Sequence, residues 1–171
     1  MHKTGVIAGK FLPPHVGHLK LVEEASKVCE TIYIAISDNP GTSARKCAEQ
    51  GLPPLPAEIR KKWLEEHFKK QKNVKIIYFD ETGLNESQIV EVWCSEFKKF
   101  FNQKIDALIV GEEHYVEVNK KYFPESISIL IKRGVDSIDI SSTQIRNDIK
   151  NNIDYIIPEA QKYFKDFLAK K

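Results

Sequence analysis

Two histidines three residues apart, His15 and His18, stand in the stretch Gly9-Lys10-Phe11-Leu12-Pro13-Pro14-His15-Val16-Gly17-His18. The apolar run Gly5-Val6-Ile7-Ala8 precedes them, and Leu19, Leu21, Val22, Ala25 and Val28 follow at helical spacing. The pattern predicts a buried strand, a loop and a helix whose first turn carries both imidazoles. A helix N-terminus presents unpaired N–H groups and a positive dipole end, and Gly17 would let an anion approach that backbone closely. Each imidazole can donate a hydrogen bond to a phosphate oxygen, and a protonated one would add positive charge where a phosphoryl transition state gathers negative charge. The plainer alternative is a cap or a surface histidine. Cys29, Cys47 and Cys94 have no paired spacing, so no metal is assigned to the histidines.

A second segment, Ile140-Ser141-Ser142-Thr143-Gln144-Ile145-Arg146, lies far down the chain. Its hydroxyl cluster is an N-cap signature, offering another helix start with Ser and Thr donors for phosphate. Arg146, one turn inside that helix, can fork two N–H groups onto a phosphate. Read alone, the segment is as easily a serine cap and a surface arginine.

With His-x-Gly-His near one end and Ile-Ser-Ser-Thr-x-x-Arg near the other, the chain resembles the nucleotidyltransferase superfamily over nearly its whole length. Within it, the sequence is most similar to the adenylyltransferase domain of NadR-type proteins, which join nicotinamide mononucleotide to the AMP part of ATP. Gly-Lys-Phe before the histidines matches, as do Ser37-Asp38, Arg60-Lys61-Lys62-Trp63, Asp80-Glu81-Thr82, Trp93 and Ile157-Pro158-Glu159-Ala160. Two segments depart from the NadR-type pattern, Asn85-Glu86-Ser87-Gln88-Ile89-Val90 and Lys132-Arg133-Gly134-Val135, both at acceptor-side positions.

The resemblance implies attack of the acceptor 5′-phosphate on the α-phosphorus of ATP, with pyrophosphate leaving. Such a phosphate, with its second pKa near about 6, is largely ionised at neutral pH and needs no general base. The protein's task is to hold two anions in line and to neutralise developing charge. The resemblance places His18 on the transferring phosphate, His15 and Lys10 beside the triphosphate, and Arg146, Ser142 and Thr143 on the β and γ oxygens. Gly9, Phe11, Gly17, Gly111, Glu112 and Ser141 are the remaining expected ATP contacts. Asp38, Arg60 and Trp93 are the expected acceptor contacts. Mg2+ would come with ATP, bridging phosphate oxygens without a dedicated protein cage. Trp93 also fits plain core packing, Gly111 a tight turn, Arg60 a solvated helix face. Other acceptors such as phosphopantetheine, transfer of CMP from CTP, or a non-catalytic nucleotide sensor are the rival readings.

The elements that must position these residues follow from alternation of strand and helix patterns. Strands are predicted at Thr4–Ala8, Thr31–Ser37, Val74–Phe79, Asp106–Val110 and Ser126–Ile131, and helices at Gly17–Cys29, Ala57–Lys70, Glu86–Phe101 and His114–Tyr122. Helical patterns at Ser141–Asn151 and Ile153–Ala169 end the chain. The expected fold is α/β, a Rossmann-like parallel sheet of about five strands with helices on both faces and a helical C-terminus. Residues 1–171 read as one nucleotidyltransferase domain. The long connection Asp38–Pro56 reads as a lid over the nucleotide with a short helix near Ser43–Glu49. Twenty-six Lys+Arg against 24 Asp+Glu leave a net charge of only +2, which speaks against a nucleic-acid partner. No apolar run reaches membrane-span length, and three unpatterned cysteines suit a reducing compartment, so a cytoplasmic protein is expected. The oligomeric state stays open, a homo-oligomer included.

Overall fold

Val6 and Ile7 are neighbours in sequence and buried on opposite faces of one sheet, Val6 with Ala35, Phe79 and Leu108, Ile7 with Ile34, Ile36 and Ile109. Only a strand covered on both sides buries successive residues in this way. The computed structural model describes residues 1–84 and 89–170. Its strands are β1 (His2–Gly9), β2 (Cys29–Asp38), β3 (Val74–Asp80), β4 (Ala107–Val110) and β5 (Ile127–Leu130). They pair in parallel in the order β3-β2-β1-β4-β5.

Helices α1 (Val16–Val28) and α3 (Ala57–Phe68) cover one face, joined there by the C-terminal α8 (Pro158–Leu168). Helix α4 (Ile89–Phe101) and α5 (His114–Tyr122) cover the other. The apolar stripes explain the sides: Val22 and Ala25 of α1, Trp63, Leu64 and Phe68 of α3, and Cys94, Phe97 and Phe101 of α4 are buried. Phe100, one place off the α4 stripe, is 44% exposed. The α/β architecture with a helical end is therefore as expected.

Boundaries differ where a cap intervenes. Strand β2 starts at Cys29 because α1 ends there, the Cys29 N–H bonding the Ala25 carbonyl. The expected helix from Ser141 to Asn151 is broken at Asp148 into α6 (Ser142–Asn147) and α7 (Ile149–Asn152), with Asp148 capping α7 by accepting from Asn151 N–H at 3.2 Å. A 3-10 turn at Ile153–Tyr155 precedes α8. The start expected at Glu86 falls outside the described residues.

The connection Asp38–Pro56 holds a longer helix than expected, α2 (Pro40–Glu49), opened by Asn39 accepting from Thr42 N–H and by Pro40 in the first turn. Cys47, Leu52 and Leu55 are buried, so the segment is pinned to the core instead of lying over the cleft as a bare flap. Among the described residues no helix is long and apolar enough to cross a membrane.

The chain leaves β1 towards β2 and β3 on one side and reaches β4 and β5 on the other, so the connections diverge between β1 and β4. A crevice opens at the carboxyl ends of strands at such a point. The pairing of β1 with its neighbours is tight at Gly5, where an added Cβ would lie 2.7 Å from Cys29 Sγ and 3.1 Å from Ile109 Cδ1. Gly5→Ala is expected to lower stability by about 1–3 kcal/mol, read as a lower urea midpoint with an unchanged slope. An unmoved midpoint would show that Cys29 swings aside freely.

Candidate active site

The first turn of α1 is capped by histidine twice over. His15 Nδ1 accepts from Gly17 N–H at 3.1 Å, and His18 Nδ1 accepts from His15 N–H at 3.2 Å. This is a capping box built from imidazoles instead of Ser and Glu. A ring nitrogen that accepts from a backbone N–H carries no proton, so in each neutral ring the proton sits on Nε2. Both rings line the cleft, stacked with centroids 3.9 Å apart.

Burial, reinforced by the charge of Arg133, pushes the His15 pKa down to about 4. Burial, then His15 and Arg133, hold His18 well below the ordinary value too. In the free protein the histidines are neutral donors at neutral pH, not the cations that one reading of the sequence offered. Gly17 has a different task from the one expected: a Cβ there would meet His15 Cε1 at 2.9 Å, so its bareness lets the imidazole fold over the helix end.

Two buried arginines shape the loop ahead of that helix. Arg146 Nη1 donates to the Leu12 carbonyl at 2.6 Å, while Arg60 Nη1 donates to the Lys10 carbonyl. Between the two gripped carbonyls, Phe11 adopts φ 50°, a left-handed conformation uncommon for a bulky residue, and packs its buried ring 4.5 Å from His18. Arg146 also donates from Nε to Gln50 at 2.7 Å and from Nη2 to Thr143 Oγ1 at 3.2 Å. Ser142 Oγ donates to the Pro13 carbonyl at 3.1 Å, and Ser141 caps α6 in a capping box with Gln144. The two motifs, more than 120 residues apart in sequence, are thus clasped together. In the free protein the hydroxyls of the second motif serve caps and loop carbonyls.

Arg60 is fully buried and pairs with the buried Asp38 at 2.7 Å, Asp38 also accepting from Ser43 Oγ. Neither residue lines the cleft; they lie beneath its floor. Trp93 does line it, with one face stacked on Phe97 at 4.8 Å and Nε1 donating to Glu81 at 2.7 Å and Ser37 at 2.9 Å. Core packing and cleft lining are combined in one side chain. Lys10 Nζ meets Glu81 at 3.3 Å.

On the other flank Gly111 and Glu112 follow β4, and Arg133 follows β5, reaching Glu112 at 3.1 Å. The cleft encloses about 750 Å³ and brings together Gly9, Lys10, Phe11, His15, His18, Gly111, Glu112, Ser141, Ser142, Thr143, Arg146 and Trp93. Lys46 reaches it from α2. Sequence reasoning left out Glu81, Ser37 and Arg133 as site residues. The first two stand at the ends of β3 and β2 and the third just past β5, so the strand-end rule applied to every strand would have found them. Among the described residues no group of three His, Cys, Asp or Glu side chains could hold a metal ion.

A family model described as cytidylyltransferase-like matches residues 6–148. The trifunctional NAD biosynthesis/regulator protein NadR of Escherichia coli is 29% identical over 171 residues, covering 94% of this chain but only 40% of its own length. A phosphopantetheine adenylyltransferase of Streptococcus pneumoniae is 37% identical over 161 residues, covering 92% of this chain and 91% of its own. Among solved structures, a bifunctional NMN adenylyltransferase/ADP ribose pyrophosphatase from Francisella tularensis superposes with a TM-score of 0.73 at 18% identity. That match covers 99% of this chain and 50% of the other, a likeness of fold.

The depressed His15 makes stability depend on pH. The unfolded chain takes up a proton near pH 6.5 that the folded site refuses until about pH 4. The contribution is therefore complete above pH 6.5 and is lost as pH falls towards 4, on the order of 3 kcal/mol in all. His15→Asn keeps a capping oxygen without a titrating ring. Its thermal midpoint should fall less than that of the parent between pH 6.5 and 4. Parallel curves would mean that His15 titrates normally.

Proposed function

This chain belongs to the cytidylyltransferase-like family, and from that premise we propose that it is an adenylyltransferase moving AMP from ATP to nicotinamide mononucleotide. The observation that carries the reading is the clasp of the two motifs around one cleft, which brings His15, His18 and Arg146 to the same wall. An oxygen of the acceptor's 5′-phosphate attacks the α-phosphorus, the bond from that phosphorus to the β-bridging oxygen breaks, and pyrophosphate leaves. No proton need be removed from the attacking oxygen.

The residues present bind and position. His18 and His15 donate their Nε2 protons to phosphate oxygens, and a bound triphosphate would draw their pKa values back up by supplying negative charge. Lys10 turns from Glu81 to the polyphosphate. Arg146 keeps its grip on Leu12 while its remaining N–H groups face the β and γ oxygens. Gly111 and Glu112 meet the adenine edge. Asp38 and Arg60 act from below, holding the Lys10 carbonyl and hence the loop. The histidines and cationic side chains suit a metal ion that arrives on the phosphates. Mg2+ would be held by phosphate oxygens and water, supplying further neutralisation of the leaving pyrophosphate.

Trp93 favours a ring-bearing acceptor, since an indole edge at the cleft can pack on a pyridinium face. The S. pneumoniae relative favours the second reading, with phosphopantetheine as acceptor. Buried free thiols at Cys29, Cys47 and Cys94 suit a reducing, cytoplasmic setting.

Pyrophosphate release with ATP or CTP against nicotinamide mononucleotide, nicotinic acid mononucleotide, phosphopantetheine and riboflavin phosphate ranks the acceptors. Highest kcat/KM with ATP and a pyridine mononucleotide is the expected result; preference for phosphopantetheine would move the assignment, and no release with any pair would leave a sensor. With the best pair, His18→Ala should lose about a hundredfold to a thousandfold in kcat. A loss below about tenfold would remove His18 from the transferring phosphate.

A further inference from the structure

The carboxylate of Glu81, just past β3, is the node of a network spanning the ends of three strands and α4. Its Oε1 accepts from Ser37 Oγ and from Trp93 Nε1, and its Oε2 meets Lys10 Nζ at 3.3 Å. The side chain is 18% exposed and lines the cleft beside Leu84 and Trp93, on the flank away from Gly111 and Arg133. Of the three partners only Lys10 is charged. Lys10 is also the most mobile of them in kind, a four-carbon stem whose side chain is 38% exposed. A triphosphate beside the histidines competes with Glu81 for that ammonium, and it carries more charge. Once Lys10 leaves, the carboxylate keeps two neutral donors and stands as an uncompensated negative charge on the acceptor side.

We infer that Glu81 selects the acceptor by charge, admitting a cationic heteroaromatic ring with an uncharged amide and rejecting a ring that carries a carboxylate. This rests on the reading of the chain as a pyridine-mononucleotide adenylyltransferase. The chemistry is direct. An amide NH2 donates to a carboxylate that has lost Lys10, and the ring's positive charge is attracted to it. A carboxylate substituent has only acceptors to offer, and like charges brought together in a partly dry site are costly. Ser37 and Trp93 hold the carboxylate in place, because rotating it away would break both hydrogen bonds to Oε1.

The test is kcat/KM with ATP for nicotinamide mononucleotide and nicotinic acid mononucleotide, in the parent, Glu81→Gln and Ser37→Ala. The parent should favour the amide at least about tenfold. Glu81→Gln should shrink that ratio at least about fivefold, chiefly through a lower KM for the acid. Ser37→Ala, which removes a hydrogen bond and keeps the charge, should leave the ratio near the parent's. A parent that uses both acceptors equally or prefers the acid overturns the inference whatever the variants do. So does Glu81→Gln lowering both activities with the ratio unchanged, which a purely structural role would give. A parent inactive on both pyridine nucleotides but active on another acceptor brings down the functional reading itself, a result distinct from an unselective pyridine enzyme.

Discussion

Two guanidinium groups buried under a ten-residue loop set everything that the cleft can do. Arg60 takes the carbonyl before Phe11 and Arg146 the carbonyl after it, so the peptide units on both sides of a left-handed residue are fixed from within the protein. A bulky residue at positive φ costs on the order of 1–2 kcal/mol. Hydrogen bonds from charged donors contribute about 1.5–3 kcal/mol each, enough to hold that conformation. Both arginines are themselves satisfied, Arg60 by Asp38 and Arg146 by Gln50 and Thr143. Removing either would free a loop carbonyl and leave a buried partner unmatched.

The consequence is a donor array assembled without charge. Phe11 packs on His18, His18 takes the His15 N–H, and His15 takes the Gly17 N–H, so each ring is fixed in one tautomer with one proton to give. Arg133 and burial keep these rings neutral until an anion arrives. A site built this way is preorganised for phosphate and leaves the permanent charges, Lys10, Arg133 and Arg146, around its rim and wall.

The sheet, its helices and the meeting of the two motifs were legible because strand alternation, apolar stripes and the hydroxyl cap are local signals. Helix α5 was read at its observed ends. Asp148 hid a break, since an Asp in a helical pattern gives no sign that its own side chain will cap the next turn. Asp38 and Arg60 read as cleft residues because charged side chains are rarely buried; only the three-dimensional arrangement shows that each is the other's partner. Gly17 read as room for an anion, and it is room for a histidine ring. Glu81 and Arg133 were passed over because their importance lies in what they touch across the sheet, 71 positions away for Lys10 in one case and 21 for Glu112 in the other.

The central claim is that the first and last motifs act as one unit on one polyphosphate. A double-mutant cycle on kcat/KM with the best substrate pair, using His18→Ala, Arg146→Met and both together, tests it most directly. If the clasp is right, the double variant loses little more than the worse single one, because each change already disables the shared array. Losses that multiply, the double variant falling by the product of the two, would show two independent parts and contradict the account.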